Sequence, residues 1–235
     1  MKGKMMADAN AILLVMQNPK EGSAAAHRDW YVTHHLPDVC GVPGVLRGEF
    51  AAVAPAADQP RWSNAALYWL GGDGAAILGE VFRRAGSGDW VMSDTLDGAT
   101  MLMAVGEALT GRVRSAITPD AEGKDRLLYI VLTNSTPGDD AAFNAWYDDV
   151  HLPDVLAVPG FVAAQRFRLA DHPALKPSPF RYAAIYEVLA GEAESAFAGL
   201  AERAGTERMV LSPTLDTVNI HAAAFAPEGV CAGSA

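Results

Sequence analysis

Trp30-Tyr31-Val32-Thr33-His34-His35-Leu36-Pro37-Asp38-Val39-Cys40-Gly41-Val42-Pro43-Gly44 returns 116 residues later as Trp146-Tyr147-Asp148-Asp149-Val150-His151-Leu152-Pro153-Asp154-Val155-Leu156-Ala157-Val158-Pro159-Gly160, with ten of the fifteen positions identical. Chance would supply about one match, so the chain contains an internal repeat, and such a repeat constrains the architecture more than any single motif. The correspondence continues downstream: Ala65-Ala66-Leu67-Tyr68 answers Ala183-Ala184-Ile185-Tyr186, and Ser93-Asp94-Thr95-Leu96-Asp97 answers Ser212-Pro213-Thr214-Leu215-Asp216. Two copies of so long a unit indicate duplication of a whole domain, since solenoids stack three or more shorter units. The stretch from Ser115 to Lys124, with turn residues through Thr118-Pro119-Asp120-Ala121-Glu122-Gly123, is the expected linker. It divides the chain into units 1–117 and 118–235.

Hydrophobic periodicity gives each unit the order strand, helix, strand, strand, helix, strand. In the second copy the strands are expected at Leu127–Leu132, Phe161–Leu169, Tyr182–Leu189 and Leu215–Phe225, with helices at Asp139–Leu156 and Glu192–Ala204. The first copy follows it from Ala11–Met16 to Met101–Val105. The fold class expected is α+β, with two ferredoxin-like βαββαβ units. Each unit carries its helices on one face of an antiparallel sheet and leaves the other face apolar. Packing the two sheets into one intramolecular barrel would bury both faces. Helices between the halves, or pairing with another chain, are the rival arrangements, and the chain is expected to be a monomer or a homodimer.

Composition narrows the function. Of 235 residues, 18 are Lys or Arg and 28 are Asp or Glu, a net charge of −10 that argues against a nucleic-acid partner. No apolar run approaches the roughly 18 residues of a membrane span. Lys2 and Lys4 imitate the start of a signal peptide, but Asp8, Asn10 and Gln17 bracket the apolar run too tightly, so a cytoplasmic location is expected. Cys40 and Cys231 are too few for a disulfide framework and lack zinc-site spacing, so no metal is expected. Cys40, matched by Leu156, reads as a packing residue. Gly71-Gly72-Asp73-Gly74 lacks the spacing of a phosphate loop.

The Trp-Tyr-x-x-x-His-Leu-Pro-Asp-Val-x-x-Val-Pro-Gly segment resembles the signature of EthD-like proteins in the dimeric α+β barrel superfamily. The resemblance covers most of the chain in strand order, while its specific words are confined to 30–44 and 146–160. It implies kinship with cofactor-free monooxygenases of aromatic polyketides, muconolactone-type isomerases, polyketide cyclases and decarboxylases, and haem-dependent chlorite-dismutase-like and dye-decolourising proteins. Fold does not select among these activities.

The residues themselves add chemistry. Helical spacing sets Tyr31 beside His35 and Tyr147 beside His151, while Pro37 and Pro153 should bend or end the helix just beyond. Asp38 or Asp154 could fix an imidazole tautomer and prepare the other nitrogen for proton transfer. The bland alternative is that His35 and His151 lock a loop and the two aspartates stabilise a helical turn. Differences between the copies mark where function could have diverged: His34 is matched by Val150, His27 by Phe143 and His221 by Leu102. Arg166 and Arg168 share a strand face and could meet an anionic substrate or simply face water. Trp30, Trp146, Tyr68 and Tyr186 read as core aromatics. Val42-Pro43-Gly44 and Val158-Pro159-Gly160 read as tight turns. His172 reads as a loop residue.

The expectation is therefore a cofactor-independent lyase, isomerase or monooxygenase for a small hydrophobic aromatic or lactone-like molecule. His35 or His151 would act as acid/base, oriented by Asp38 or Asp154, and Tyr31 or Tyr147 would polarise the substrate oxygen. His34, His221 and Arg166 are candidate substrate contacts. The alternatives are a haem protein with His221 or His151 as axial ligand, and a non-catalytic barrel that sequesters an apolar metabolite.

Overall fold

Ala11–Gln17 is apolar up to its last residue, and all seven positions are buried, so the segment forms a strand covered on both faces. It is β1 of a computed structural model that describes residues 9–54, 61–118 and 125–233. Lys2, Lys4, Asp8 and the linker stretch 119–124 lie outside the described residues. The first repeat continues with α1 (Ala24–Trp30), a π-helical turn at Tyr31–His35, α2 (Leu36–Cys40), β2 (Val45–Val53), β3 (Asn64–Leu70), α3 (Gly74–Ala85) and β4 (Leu102–Ala108). After the two-residue strand β5 (Val113–Arg114), the second repeat reproduces this order. Its elements are β6 (Arg126–Thr133), α4 (Asp140–Trp146), a π turn at Tyr147–His151, α5 (Leu152–Leu156), β7 (Phe161–Ala170), β8 (Tyr182–Leu189), α6 (Ala193–Arg203) and β9 (His221–Ala232). The expected α+β class and the doubled βαββαβ unit are both present. One expected strand differs: 215–220 is turn and coil, and β9 runs on to Ala232.

The chain separates into two compact units. Unit 1 holds the first repeat to Gly111 together with Phe167–Pro179 and Phe225–Ala235, and unit 2 holds Arg112–Arg166 and Phe180–Ala224. Strands β7 and β9 thus run through both. In unit 1, β1 lies between β3 and β4, pairing Leu13 with Tyr68 on one side and with Val105 on the other, both antiparallel. The edges of this ladder are paired as well: Phe50 of β2 lies opposite Gly229 of β9, and Gly106 of β4 opposite Leu169 of β7. An unpaired edge is an aggregation hazard, and this pairing removes it on both sides. In unit 2, β6 pairs with β8 through Tyr129 and Tyr186, and β5 pairs with β7 through Val113 and Ala164.

The core of unit 1 sits between the sheet and its helices. Ala11, Leu13, Val15, Phe50 and Tyr68 pack against Tyr31, Leu36, Val39 and Leu78. Asp73 caps α3 by accepting the backbone N–H groups of Ala75 and Ala76. The Val-Pro-Gly turns enter β2 and β7 as expected, with Gly44 at φ +91° and Gly160 at φ +92°, a region that L residues avoid. A side chain there would also strike Ile77 or Ala196.

One expectation fails in this core. Cys40 is not a lone packing residue: it forms a disulfide with Cys231, their Cα atoms 6.4 Å apart. Sequence could not see the pair because 191 residues separate the two cysteines. Among the described residues, no helix is long and apolar enough to cross a membrane.

Candidate functional site

Both copies of the repeated segment fold as helix, π turn, helix. In a regular helix the Leu36 N–H would bond the carbonyl of Val32; here it bonds Tyr31, five residues back, and Leu152 likewise bonds Tyr147. The next residue explains this. Pro37 or Pro153 has no N–H, and its ring would press on the carbonyl four residues earlier, so a wider turn relieves the clash. At about 3.6 residues per turn, side chains five apart diverge. The wider turn realigns them, and Trp30 stacks on His35 at 4.8 Å just as Trp146 stacks on His151 at 4.8 Å. Tyr31 and Tyr147 meet the same imidazoles edge-on, at 4.9 and 4.8 Å.

In unit 1 this turn faces a set of polar atoms without partners. His27, on α1, is buried, and its Nδ1 lies 3.0 Å from Thr95 Oγ1, which lies 2.8 Å from Ser93 Oγ. That relay holds the ring and leaves Nε2 enclosed with no hydrogen-bond partner. His35 Nδ1 and the Gln17 side-chain nitrogen are enclosed and unpartnered too. All three groups surround Tyr31: the His27 and His35 rings lie 5.6 and 4.9 Å from its ring, and the Gln17 amide approaches its hydroxyl. Tyr68 donates to the Tyr31 hydroxyl at 3.2 Å. Burial pushes Tyr31 up to about 12, against the opposing pull of Tyr68 and Gln17, so it stays a neutral phenol. Burial, helped by nearby His27, brings His35 down to about 4, and burial lowers His27 as well. Both imidazoles are uncharged at neutral pH. Buried polar atoms normally find partners, so the unpaired nitrogens of His27 and His35 beside this phenol mark a place where a ligand's polar groups would be accepted.

In unit 2 the equivalent positions carry charge, where unit 1 has Phe50 stacked on Tyr31 at 4.4 Å. Gln17 is replaced by Thr133, His27 by Phe143, Val32 by Asp148 and Phe50 by Arg166. The Arg166 guanidinium lies 4.0 Å over the Tyr147 ring, pairs with Asp148, and donates to Asn144 Oδ1 at 2.9 Å. Asn144 donates to the Tyr182 hydroxyl at 3.1 Å, and Tyr182 donates to Asp140 at 2.6 Å. Tyr147 and Tyr186 share a hydroxyl contact of 3.1 Å. His151 Nδ1 is enclosed without a partner, and burial, with Arg166 nearby, takes this ring down to about 4.

Several expected roles do not fit this geometry. No hydrogen bond joins Asp38 to His35 or Asp154 to His151 among the described residues; each aspartate sits in the first turn of the short helix after the π turn. Burial raises both carboxyls slightly, opposed by His34 and by Arg203 respectively. Tyr31 and Tyr147 direct their hydroxyls at sheet tyrosines. His34 is exposed, while His221 opens β9 with its Nε2 enclosed. Arg166 is only 1% exposed and engaged within the protein, whereas Arg168 on the same strand face is exposed. The residues missed from sequence are Gln17, Thr95 and, as a site residue, His27. The signal for His27 was present in its apolar counterpart Phe143.

No family model matches the chain, and no curated protein matches it in sequence. Solved structures do match in fold. An anthrone oxidase-like protein is 10% identical, with 98% of this chain and 96% of that one covered at a TM-score of 0.63. A provisionally assigned monooxygenase from Fusobacterium nucleatum subsp. nucleatum is 11% identical, with 95% of each chain covered at 0.53. A chlorite dismutase from Candidatus Nitrospira defluvii is 9% identical, with 96% and 95% covered at 0.57. The neighbours are α+β barrel proteins, and the likeness at this identity is one of fold.

Proposed function

We propose that this chain is a cofactor-independent acid/base enzyme of the oxidase or monooxygenase type, of EthD-like kinship, and that its substrate is a small hydrophobic aromatic metabolite held in unit 1. The observation that carries the reading is the pair of unpartnered imidazole nitrogens of His27 and His35 beside Tyr31, with the Gln17 amide at its hydroxyl. The anthrone oxidase-like and monooxygenase neighbours support the reaction class.

The chemistry follows from the protonation states. Uncharged His35 has a lone pair to accept a proton from an activated C–H beside an aryl ketone or phenol. The electrons of that bond pass into the ring system, and the Gln17 amide and His27 Nε2 hold the oxygen on which the charge settles. Dioxygen, the co-substrate, adds to the carbanion; the imidazole returns its proton to the peroxide. Loss of the second C–H proton with hydroxide, as water, leaves a carbonyl. One O2 is consumed per carbonyl and water formed.

The residues present do not single out a haem ligand: His221 Nε2 is enclosed, and the His151 ring is stacked on Trp146 as His35 is on Trp30. The test of the proposal is oxygen uptake with an anthrone-type probe. Equal amounts of O2 consumed and ketone formed are expected, whereas saturable binding of the probe without uptake would overturn catalysis in favour of sequestration.

A further inference from the structure

Unit 1 also contains a cavity of about 360 Å³ that the proposed chemistry does not use, lined by Arg61, Trp62, Thr100, Met101, Leu102 and Lys176 among others. Hydrogen bonds fix its wall. The Trp62 ring is buried and held by its indole N–H, which donates to the Thr100 carbonyl at 2.7 Å. Asn18 ties both sides of the wall together, donating to the Arg61 carbonyl at 3.1 Å and to Thr100 Oγ1 at 3.3 Å while accepting the Ser63 N–H at 2.8 Å. On this platform the Arg61 guanidinium lies 4.6 Å over the Trp62 ring. Face-on stacking leaves the N–H edge of a guanidinium free for a planar, bidentate acceptor.

The second cation is Lys176, whose ammonium reaches only a neutral group, the Gly98 carbonyl at 3.4 Å. Neither cation meets a carboxylate among the described residues, although acids outnumber bases by ten in the chain. Four other arginines of unit 1, Arg28, Arg47, Arg83 and Arg84, each pair with an acid. Two cations in one cavity, neither paired with a carboxylate among the described residues, generate a positive field in a molecule of net negative charge. Trp62, Met101, Leu102 and Met103 supply apolar surface beside them. Met101 and Met103 line the cavity on one side and pack on the other against the core that holds Tyr31 and Phe50.

The geometry points to a binding site for a small carboxylate attached to a flat apolar body, such as an aromatic carboxylate. The carboxylate is held by the free edge of Arg61 and by Lys176; the ring lies on Met101 and Leu102. This inference stands apart from the oxidase reading and does not depend on it. Benzoate is the probe, titrated calorimetrically into the whole protein, with benzyl alcohol as the uncharged ring and acetate as the ringless anion. Saturable benzoate binding is expected, at least tenfold tighter than either control and weakened by salt. It should fall about tenfold or more in Arg61→Gln and in Lys176→Gln, and by less in Arg61→Lys. Both side chains are exposed, so the variants should retain the parent melting curve. Benzoate that binds no better than benzyl alcohol or acetate, or that binds the Gln variants as well as the parent, overturns the inference.

Discussion

Replacing His27 by Phe, the residue its repeat partner carries at 143, separates a functional polar group from a structural one. The imidazole is buried, with Nε2 enclosed and unpartnered. Such a group costs about 1–3 kcal/mol, and removing it returns that amount. The substitution breaks the hydrogen bond to Thr95, worth about 1 kcal/mol, and Thr95 keeps its 2.8 Å partner Ser93. Phenyl and imidazole differ little in volume, so repacking costs under about 1.5 kcal/mol. The sum lies between about 1.5 kcal/mol less stable and about 2 kcal/mol more stable. For a chain of this size each kcal/mol moves Tm by about 2–4 °C, so differential scanning calorimetry should show a Tm no more than about 6 °C below the parent's. Oxygen uptake with the anthrone-type probe should fall by about tenfold or more, because one donor to the developing oxyanion is gone. A Tm lowered by more than about 6 °C would show that the imidazole holds the fold together, and undiminished uptake would show that it does not touch the reaction.

Three further outcomes follow from the same geometry. Cys40→Ser removes a link that closes a 191-residue loop, and chain entropy puts the destabilisation at about 5 kcal/mol, read as a lower denaturant midpoint that reductant reproduces in the parent. Asp148→Val strands the buried Arg166 cation and should cost about 3 kcal/mol; adding Arg166→Phe, so that both positions carry the residues of the first repeat, should recover most of it in a double-mutant cycle. The folded values of His35 and His151, near 4, lie below the ordinary 6.5, so the folded chain resists protonation there. Stability is therefore full above pH 6.5 and is lost as pH falls from 6.5 towards 4, where the unfolded chain binds protons first. The fall should be shallower in His35→Phe, and an identical slope in parent and variant would show that this ring does not titrate as described.

The repeat made the architecture legible because duplication preserves spacing, and spacing is what fixes element order. Trp30, His35 and Pro37 recur together, so the bend they cause recurs. Its π geometry was not legible, because the i to i+4 rule that placed Tyr31 beside His35 says nothing of Trp30, five residues from His35. The site was half legible. His35 was visible as a titratable group beside a helix break, but its supposed partner Asp38 was chosen by sequence proximity and is not bonded to it. The neighbours that matter, Gln17 and Thr95, come from a strand and a distant loop, and only folding brings Thr95 to His27 and Gln17 to Tyr31. Arg166 misled for a related reason: an arginine on a strand reads as solvent-facing, and its burial depends on Asp148 and Asn144 answering it from the helix above. The disulfide joins residues at opposite ends of the chain, which no local pattern records.

The functional proposal assigns the chemistry to His35 of unit 1 and a structural part to His151 of unit 2, and it stands or falls on that division. Oxygen uptake by His35→Phe and His151→Phe, measured side by side at a temperature where both are folded, tests it most directly. A loss of about a hundredfold or more in the first and parent-like uptake in the second is the expected result. Equal losses in both, or loss only in the second, would contradict it.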